Sequence, residues 1–492
     1  MRSFPYPPAR LAVLLAAAAL LAGCNRAKTG SIDILVIGET APKLVDPVDG
    51  TLTEADDVLL ANAAQGLVRF DPRGQIEAGL AERWNVSDDG LSYIFRLQSG
   101  KWPSGRKIDA RDVARQLNRA RRETSLDQLK DTLGAVDEIL AMTDRVIQIR
   151  LSAPRPHLLQ LLAQPDFAIT RDTEGTGPFL ILPTGPEVPL HLRRMVPGAD
   201  GEAERIEDIR LGSQPAPSAV AAFIAGKTDL VLGGGFADLP VVLQAAPPRG
   251  TLHFDPVAGL FALVPGRLGG PLADRGLRSL LNRAIDRDAL VAAFKVDGLA
   301  PRTTLLQPGL DGIASLTPPE WATIPLARRA AGLTTEANRL FGRRPRPMLT
   351  ISLPAGPGSS LLFHRLADDF GRLGVTLRPA GAGEAVDLRL IDEVAPSTSP
   401  AWFVRRLHCG RVPLCDNDLD LIADAARATQ SADQRAQLLA TAAERFDSET
   451  MIFPLTAPIR WSLVSSDAPG FAENRFARHT FIDLGHKAAS DR

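Results

Sequence analysis

Apolar and polar residues alternate in "LSYIFRLQSG", where Leu91, Tyr93, Phe95 and Leu97 share one face of an expected strand. The same period of two returns in "DRVIQIRLSAP", with Ile147, Ile149 and Leu151 on one face before Pro154 ends the pairing. Between them the period lengthens. In "KIDARDVARQLNRA", Val113, Leu117 and Ala120 form a helical stripe, with Asp109 suited to the N-cap and Asp112 to the third helical position. Further on, "GLRSLLNRAIDRDALVAAF" puts Leu277, Leu280, Leu281, Ala284 and Ile285 on one helix face, and Asp286 can cap a second helix. Near the end, Ser431 and Gln434 fit a capping box before the apolar positions Leu438, Leu439, Ala442 and Phe446. Strands and helices interleave throughout, which predicts a mixed α/β chain. Proline and glycine are dispersed, and no fixed-period repeat is visible, so neither a long linker nor a solenoid is expected.

One apolar run behaves differently. Residues 11–21 would make a helix of about 16 Å, against a bilayer core of about 30 Å, so the run is too short to span. Arg2 and Arg10 precede it, and Ala22, Gly23 and Cys24 follow, which is the order of an export signal. No second long apolar run occurs. Loss of residues 1–23 would change the net charge from −1 to −3, so no excess of basic charge marks a nucleic-acid binder. About 470 residues would remain, enough for two or three lobes at roughly 100 to 200 residues each. With Cys24 set aside, Cys409 and Cys415 form an even pair, either a short-loop disulfide or two buried thiols.

Local chemistry is sparse. The "AGKT" at 225–228 lacks the glycine that a phosphate-binding loop needs five residues before Gly226, since that position is Ala221; a turn into a strand explains it better. The run Gly233, Gly234, Gly235 suits either a tight turn or a loop lining a ligand. The histidines have no metal-ligand spacing, no Gly-x-Ser-x-Gly occurs, and neither a metal, a cofactor nor catalysis is expected.

The block at 63–120, "AAQGLVRFDPRGQIEAGLAERWNVSDDGLSYIFRLQSGKWPSGRKIDARDVARQLNRA", resembles the most characteristic stretch of the family-5 extracellular solute-binding proteins, receptors of ABC importers for oligopeptides, dipeptides and nickel. "GTGPF" at 175–179, "FIAGKTDLVLG" at 223–233, "LADRGLRSLLNRAIDRDALV" at 272–291 and "MIFPLTAPIRWSLVSS" at 451–466 are similar in register. The resemblance implies a two-lobe, periplasmic-binding-protein-like α/β fold with a hinged cleft. Lobe I would hold residues 31–255 and 450–487, with an additional β-rich subdomain at about 51–167, and lobe II residues 256–449. "LAGC" at 21–24 resembles a bacterial lipobox, which implies a signal peptide at 1–23 and a monomeric lipoprotein tethered in the cell envelope through Cys24. Its partners would be a small solute, a peptide among the options, and an ABC permease with its ATPase. A non-transport envelope sensor on the same fold and a two-lobe envelope hydrolase are the alternatives.

By the same resemblance, Glu39 and Thr40 end the first strand where the family's cleft loop begins, and Trp402 and Trp461 lie in segments that approach the cleft; Arg405 and Arg460 are candidates to meet a carboxylate or phosphate. Trp84 and Trp102 are expected in a core. Peptide receptors of the family hold the ligand's ammonium with an aspartate in a stretch that here reads "EVAPSTSPAWFVRRLHC" (393–409), with Ser397, Thr398 and Ser399 in place of the acid. Asp392 or Glu393 is the nearest substitute. An uncompensated ammonium in a cleft is costly. Since "FVRRLH" is basic, an anionic or neutral ligand stands as open as a peptide.

Overall fold

The computed structural model describes residues 30–122, 133–183, 189–196, 205–313 and 316–485; the N-terminal apolar run and Cys24 lie outside the described residues. Two mixed sheets organise the chain. The first has seven strands in the order Leu180–Leu182, Leu190–Val196, Arg205–Gln214, Ser31–Ile37, Leu230–Gly235, Arg460–Val464 and Leu252–Phe254. The second has five, Thr376–Pro379, Met348–Ser352, Leu388–Val394, Gly259–Pro265 and Phe453–Thr456. The chain therefore passes from the first sheet to the second between Phe254 and Gly259 and returns between Thr456 and Arg460, beyond the expected position 450.

A separate antiparallel sheet, Ala81–Val86, Ser92–Leu97, Val146–Leu151 and Val136–Ala141 in spatial order, packs on the helix Ala110–Arg122. Its period-two positions are the buried ones: Tyr93, Phe95, Leu97, Ile147, Ile149 and Leu151 are all 4 % exposed or less. Asp109 Oδ1 accepts the Arg111 N–H at 2.7 Å, satisfying one free donor at the helix start. Asp286 caps Arg287–Phe294 through the Ala289 N–H in the same way. Ser431 caps the helix Ala432–Ser448, but the box is only half formed, because Gln434 turns its Oε1 to the Thr429 hydroxyl. Trp102 is in the core of this subdomain, as expected, whereas Trp84 is only partly buried at its edge.

At the crossings the two sheets share one apolar core. Phe236, just after a first-sheet strand, meets Phe261 of the second sheet edge-to-face at 4.8 Å, and Phe294 closes the cluster. Glycine makes a second close contact there. A Cβ on Gly234 would lie 2.2 Å from the indole of Trp461, so only glycine lets that ring lie flat on the strand. The triple glycine is thus neither a free turn nor a ligand loop. It is strand backbone, bulged between Val231 and Gly234, accommodating a tryptophan.

After the last strand the chain runs back over the first lobe as a strap. Asn474 donates its N–H to Asp255 at 2.9 Å, Phe476 stacks on Phe70 at 4.7 Å, and His479 meets Asp255 at 3.1 Å. The fully buried Asn62 donates to the His479 carbonyl and accepts the Phe481 N–H. Among the described residues no helix is long and apolar enough to cross a membrane.

Candidate functional site

Residues on the two sides of the molecule meet along a seam. From the first side come the short helix Leu158–Leu162 and its flanks; from the second, the segment 396–405 and the helices Asn417–Ala428 and Ala432–Ser448. Gln164 donates to the Pro396 carbonyl at 2.9 Å, and Gln160 accepts the Thr398 N–H at 3.1 Å. Arg155 donates to the Arg427 carbonyl at 2.6 Å, and Gln430 to the Ser152 carbonyl at 2.7 Å. Thr398 also donates its hydroxyl to Asp311 at 2.7 Å, beside His157. The bonds made by Gln164, Gln160, Arg155 and Gln430 each join one side of the seam to the other, between residues more than 230 positions apart, so the arrangement is a closed one.

The closed seam encloses two cavities, and segment 396–405 contributes to both. The larger, about 240 Å³, is lined by Glu54, Gln164, Asp166 and Arg478 from the first side and by Asp392, Glu393, Trp402 and Pro396 from the second, with Arg460 at the crossing. The smaller, about 140 Å³, lies between Arg155 and His157 on one side and Asp311, Arg405, Arg427 and Leu439 on the other. Among the described residues no group of three His, Cys, Asp or Glu is disposed to hold a metal ion.

Charge is arranged in fixed pairs around the larger cavity. Arg460 donates to both Asp392 oxygens, at 2.9 and 3.2 Å, and Glu393 pairs with Arg406. Arg478 donates to Asp57 at 2.7 Å and to Gln164 at 3.3 Å. Burial alone would lower the Arg478 guanidinium, but Asp57, Glu54 and Asp166 together outweigh it and hold its pKa above the ordinary value. Burial pushes the Asp166 and Asp392 carboxyls up, opposed by Arg478 and Arg460 respectively.

The residues expected at the cleft separate into three groups. Trp402 and Arg460 line the larger cavity together, and Arg405 lines the smaller while paired with Asp424 at 3.3 Å. Glu39 and Thr40 are exposed and line neither. Trp461 is corrected: it is 1 % exposed, its Nε1 donates to the Gly235 carbonyl at 2.9 Å, and its ring is held against Gly234, so its polar tip and its face are both occupied by core partners. Ser397 and Thr398 are buried in the seam, and Ser399 caps the helix Pro400–Arg405. Cys409 and Cys415 are joined by a disulfide.

Sequence reasoning missed Glu54, Gln164, Asp166 and Arg478. One signal was available for Asp166, a lone acid inside the apolar stretch "LLAQPDFAI", because a charged side chain in such a run needs a reason to be there.

Residues 75–387 match the family described as bacterial extracellular solute-binding proteins, family 5 Middle. The chain is 23% identical to the probable di/tripeptide-binding protein 5 of Pseudomonas aeruginosa (strain UCBPP-PA14), covering 96% of each. Of the solved structures, Haemophilus influenzae OppA in complex with RPPGFSPFR is similar with a TM-score of 0.75 at 15% identity, over 93% of this chain and 99% of that one. The Escherichia coli murein tripeptide binding protein MppA is similar with a TM-score of 0.75 at 16% identity, over 92% and 97%. NikA from Brucella suis, in complex with Fe(III)-EDTA, gives 0.73 at 19% identity, over 92% and 100%. The shared architecture is the two-lobe fold of periplasmic binding proteins, and with its cavity between the lobes this chain belongs to family 5 of the bacterial extracellular solute-binding proteins.

Proposed function

We propose that the chain is the solute receptor of an ABC importer, which captures a small peptide or peptide-like molecule in the larger cavity and presents the closed form to a permease and its ATPase. It performs no chemistry of its own. The observation that carries this reading is the cavity of about 240 Å³ walled by both sides of the seam, because each side supplies contacts that an open molecule could not make at once. Relatives named for di- and tripeptides support the peptide-like class.

In this reading lobe I comprises residues 31–255, including the subdomain near 51–167, and the chain from the second crossing to 487, lobe II comprises the interval between, through the strand Phe453–Thr456, and closure pivots about the shared phenylalanine core. Cleavage before Cys24 and acylation of that cysteine leash a monomer to the cell envelope, several chains being needed for a stable anchor. Native mass spectrometry of protein purified from its own host is the test. A retained solute, together with a smaller radius of gyration than the solute-stripped protein, is the expected result. Turnover of ester, peptide or phosphate substrates by the pure protein would replace this reading with a hydrolase.

A further inference from the structure

The second lobe carries a groove of its own. The strands Met348–Ser352 and Thr376–Pro379 run parallel and are joined by the helix Pro357–Gly371; a groove of about 410 Å³ lies between their carboxyl ends and the start of that helix. Open α/β sheets bind ligands at such an edge. Although the lobes are shut, every lining residue falls between Ile351 and Ala380, so no first-lobe residue closes over it. At the helix start, Gly356 occupies the N-cap with no side chain to offer, Pro357 follows, and the first turn holds no acid. The positive end of the helix therefore faces the groove without a negative charge beside it. That end is held in place: a Cβ on Gly356 would lie 2.6 Å from the Ala237 carbonyl oxygen, to which the Gly358 N–H donates at 2.8 Å. An independent observation comes from Ser359. It lines the groove and is 5 % exposed, and its hydroxyl has no hydrogen-bond partner among the described residues, a costly state for a buried polar group. No carboxylate, lysine or arginine lines the groove; Leu353, Phe363 and Pro379 give it apolar walls.

We infer that this groove is a second binding site, separate from the solute cavity, for a small oxyanion (a carboxylate or phosphate) carried on an apolar body. The anionic head sits at the helix start, where backbone N–H groups and the helix dipole favour negative charge, and it accepts the Ser359 hydroxyl. Ser360 and His364, both exposed, offer further donors beside it. The body lies against Leu353, Phe363 and Pro379. A cation would meet the positive end of the helix, and a purely apolar molecule would leave the Ser359 hydroxyl as unmatched as before. Because one lobe supplies every contact, binding here is indifferent to whether the lobes are open or shut, which the solute cavity is not.

The test uses the full chain and ligand-observed NMR titrations, with benzoate and phenyl phosphate as probes and benzyl alcohol as the neutral comparator. At least one of the two anions is expected to bind, and benzyl alcohol is not. Ser359→Ala should weaken that binding by roughly tenfold or more, since it removes a hydrogen bond to a charged group. The thermal midpoint of the empty variant should equal or exceed the parent's, because the hydroxyl it loses has no partner. Ser360→Asp, at an exposed position, adds a carboxylate that suits the first helical turn and should abolish anion binding. The Gln160→Ala, Gln430→Ala pair, which breaks two bonds across the seam, should bind the probe as the parent does. Failure of both anions to bind, equal binding of benzyl alcohol, or a Ser359→Ala variant that titrates as the parent does would overturn the assignment. Loss of binding in the double glutamine variant would also overturn it, by placing the probe between the lobes. Each of these results leaves solute capture standing, because the groove and the solute cavity share no lining residue.

Discussion

Removing Gln160 and Gln430 together is expected to open the molecule without unfolding it. Gln160 accepts the N–H of Thr398, a residue 3 % exposed, and Gln430 reaches the Ser152 carbonyl from an exposed position. A net hydrogen bond contributes about 0.5–1.5 kcal/mol, so the Gln160→Ala, Gln430→Ala pair should cost the closed state about 1–3 kcal/mol. That amounts to a shift of about 5- to 150-fold in the closed-to-open ratio. Neither glutamine belongs to a hydrophobic core, so the interior of each lobe is untouched and the thermal midpoint of the empty protein should move little. Because the solute is held by both walls, its apparent affinity should fall by as much as the closed population does. Small-angle scattering with and without the solute eluted from host-purified protein reads the first quantity, and titration calorimetry with the same solute reads the second. An unchanged scattering curve together with unchanged affinity would refute the claim that these bonds hold the lobes shut.

Gly234→Ala should destabilise by roughly 2–3 kcal/mol, since its Cβ would fall 2.2 Å from the Trp461 ring, and the shift should appear in tryptophan fluorescence as well as in urea unfolding. Asp369, whose carboxyl burial raises to about 6 despite the Asp286 N–H and Arg372, binds its proton more tightly folded than unfolded, where about 3.9 applies. Its stabilising contribution is therefore complete below pH 4 and disappears as pH rises to 6, so Asp369→Asn should gain on the parent by about 2–3 kcal/mol across that interval in paired urea titrations. Breaking the Cys409–Cys415 bridge with Cys→Ser changes at both positions frees a loop with a sequence separation of 6, and a loss of roughly 2 kcal/mol should register as a lower thermal midpoint that reductant no longer affects.

Local order was legible in the sequence because its causes are local. The alternation at 93, 95 and 97 and at 147, 149 and 151 becomes the buried face of one sheet, and Asp109, Asp286 and Ser431 cap the helices they precede. The cavity is assembled differently, from positions near 54, 166, 393, 402, 460 and 478, and no spacing along the chain records that they meet. Trp461 illustrates the limit. An amphipathic ring beside an arginine reads as a ligand contact until its neighbour across the sheet is known, and that neighbour, Gly234, is fixed by strand register alone. Arg460 and Trp402 line the cavity, in segments that resemblance had located, but resemblance could not supply their partners, such as Asp392 on a different sheet beside Arg460.

The strap over the first lobe couples the two ends of synthesis. Asn62, an early residue, finds its amide partners at His479 and Phe481, separations of 417 and 419 positions, and Phe70 waits for Phe476. Without the strap the Asn62 amide keeps only its bond to the Val58 carbonyl and lacks the donor its oxygen accepts from, and the Phe70 ring has nothing to stack on. Contacts this remote make folding slow, and these form only once residues 476–481 are available to the first lobe.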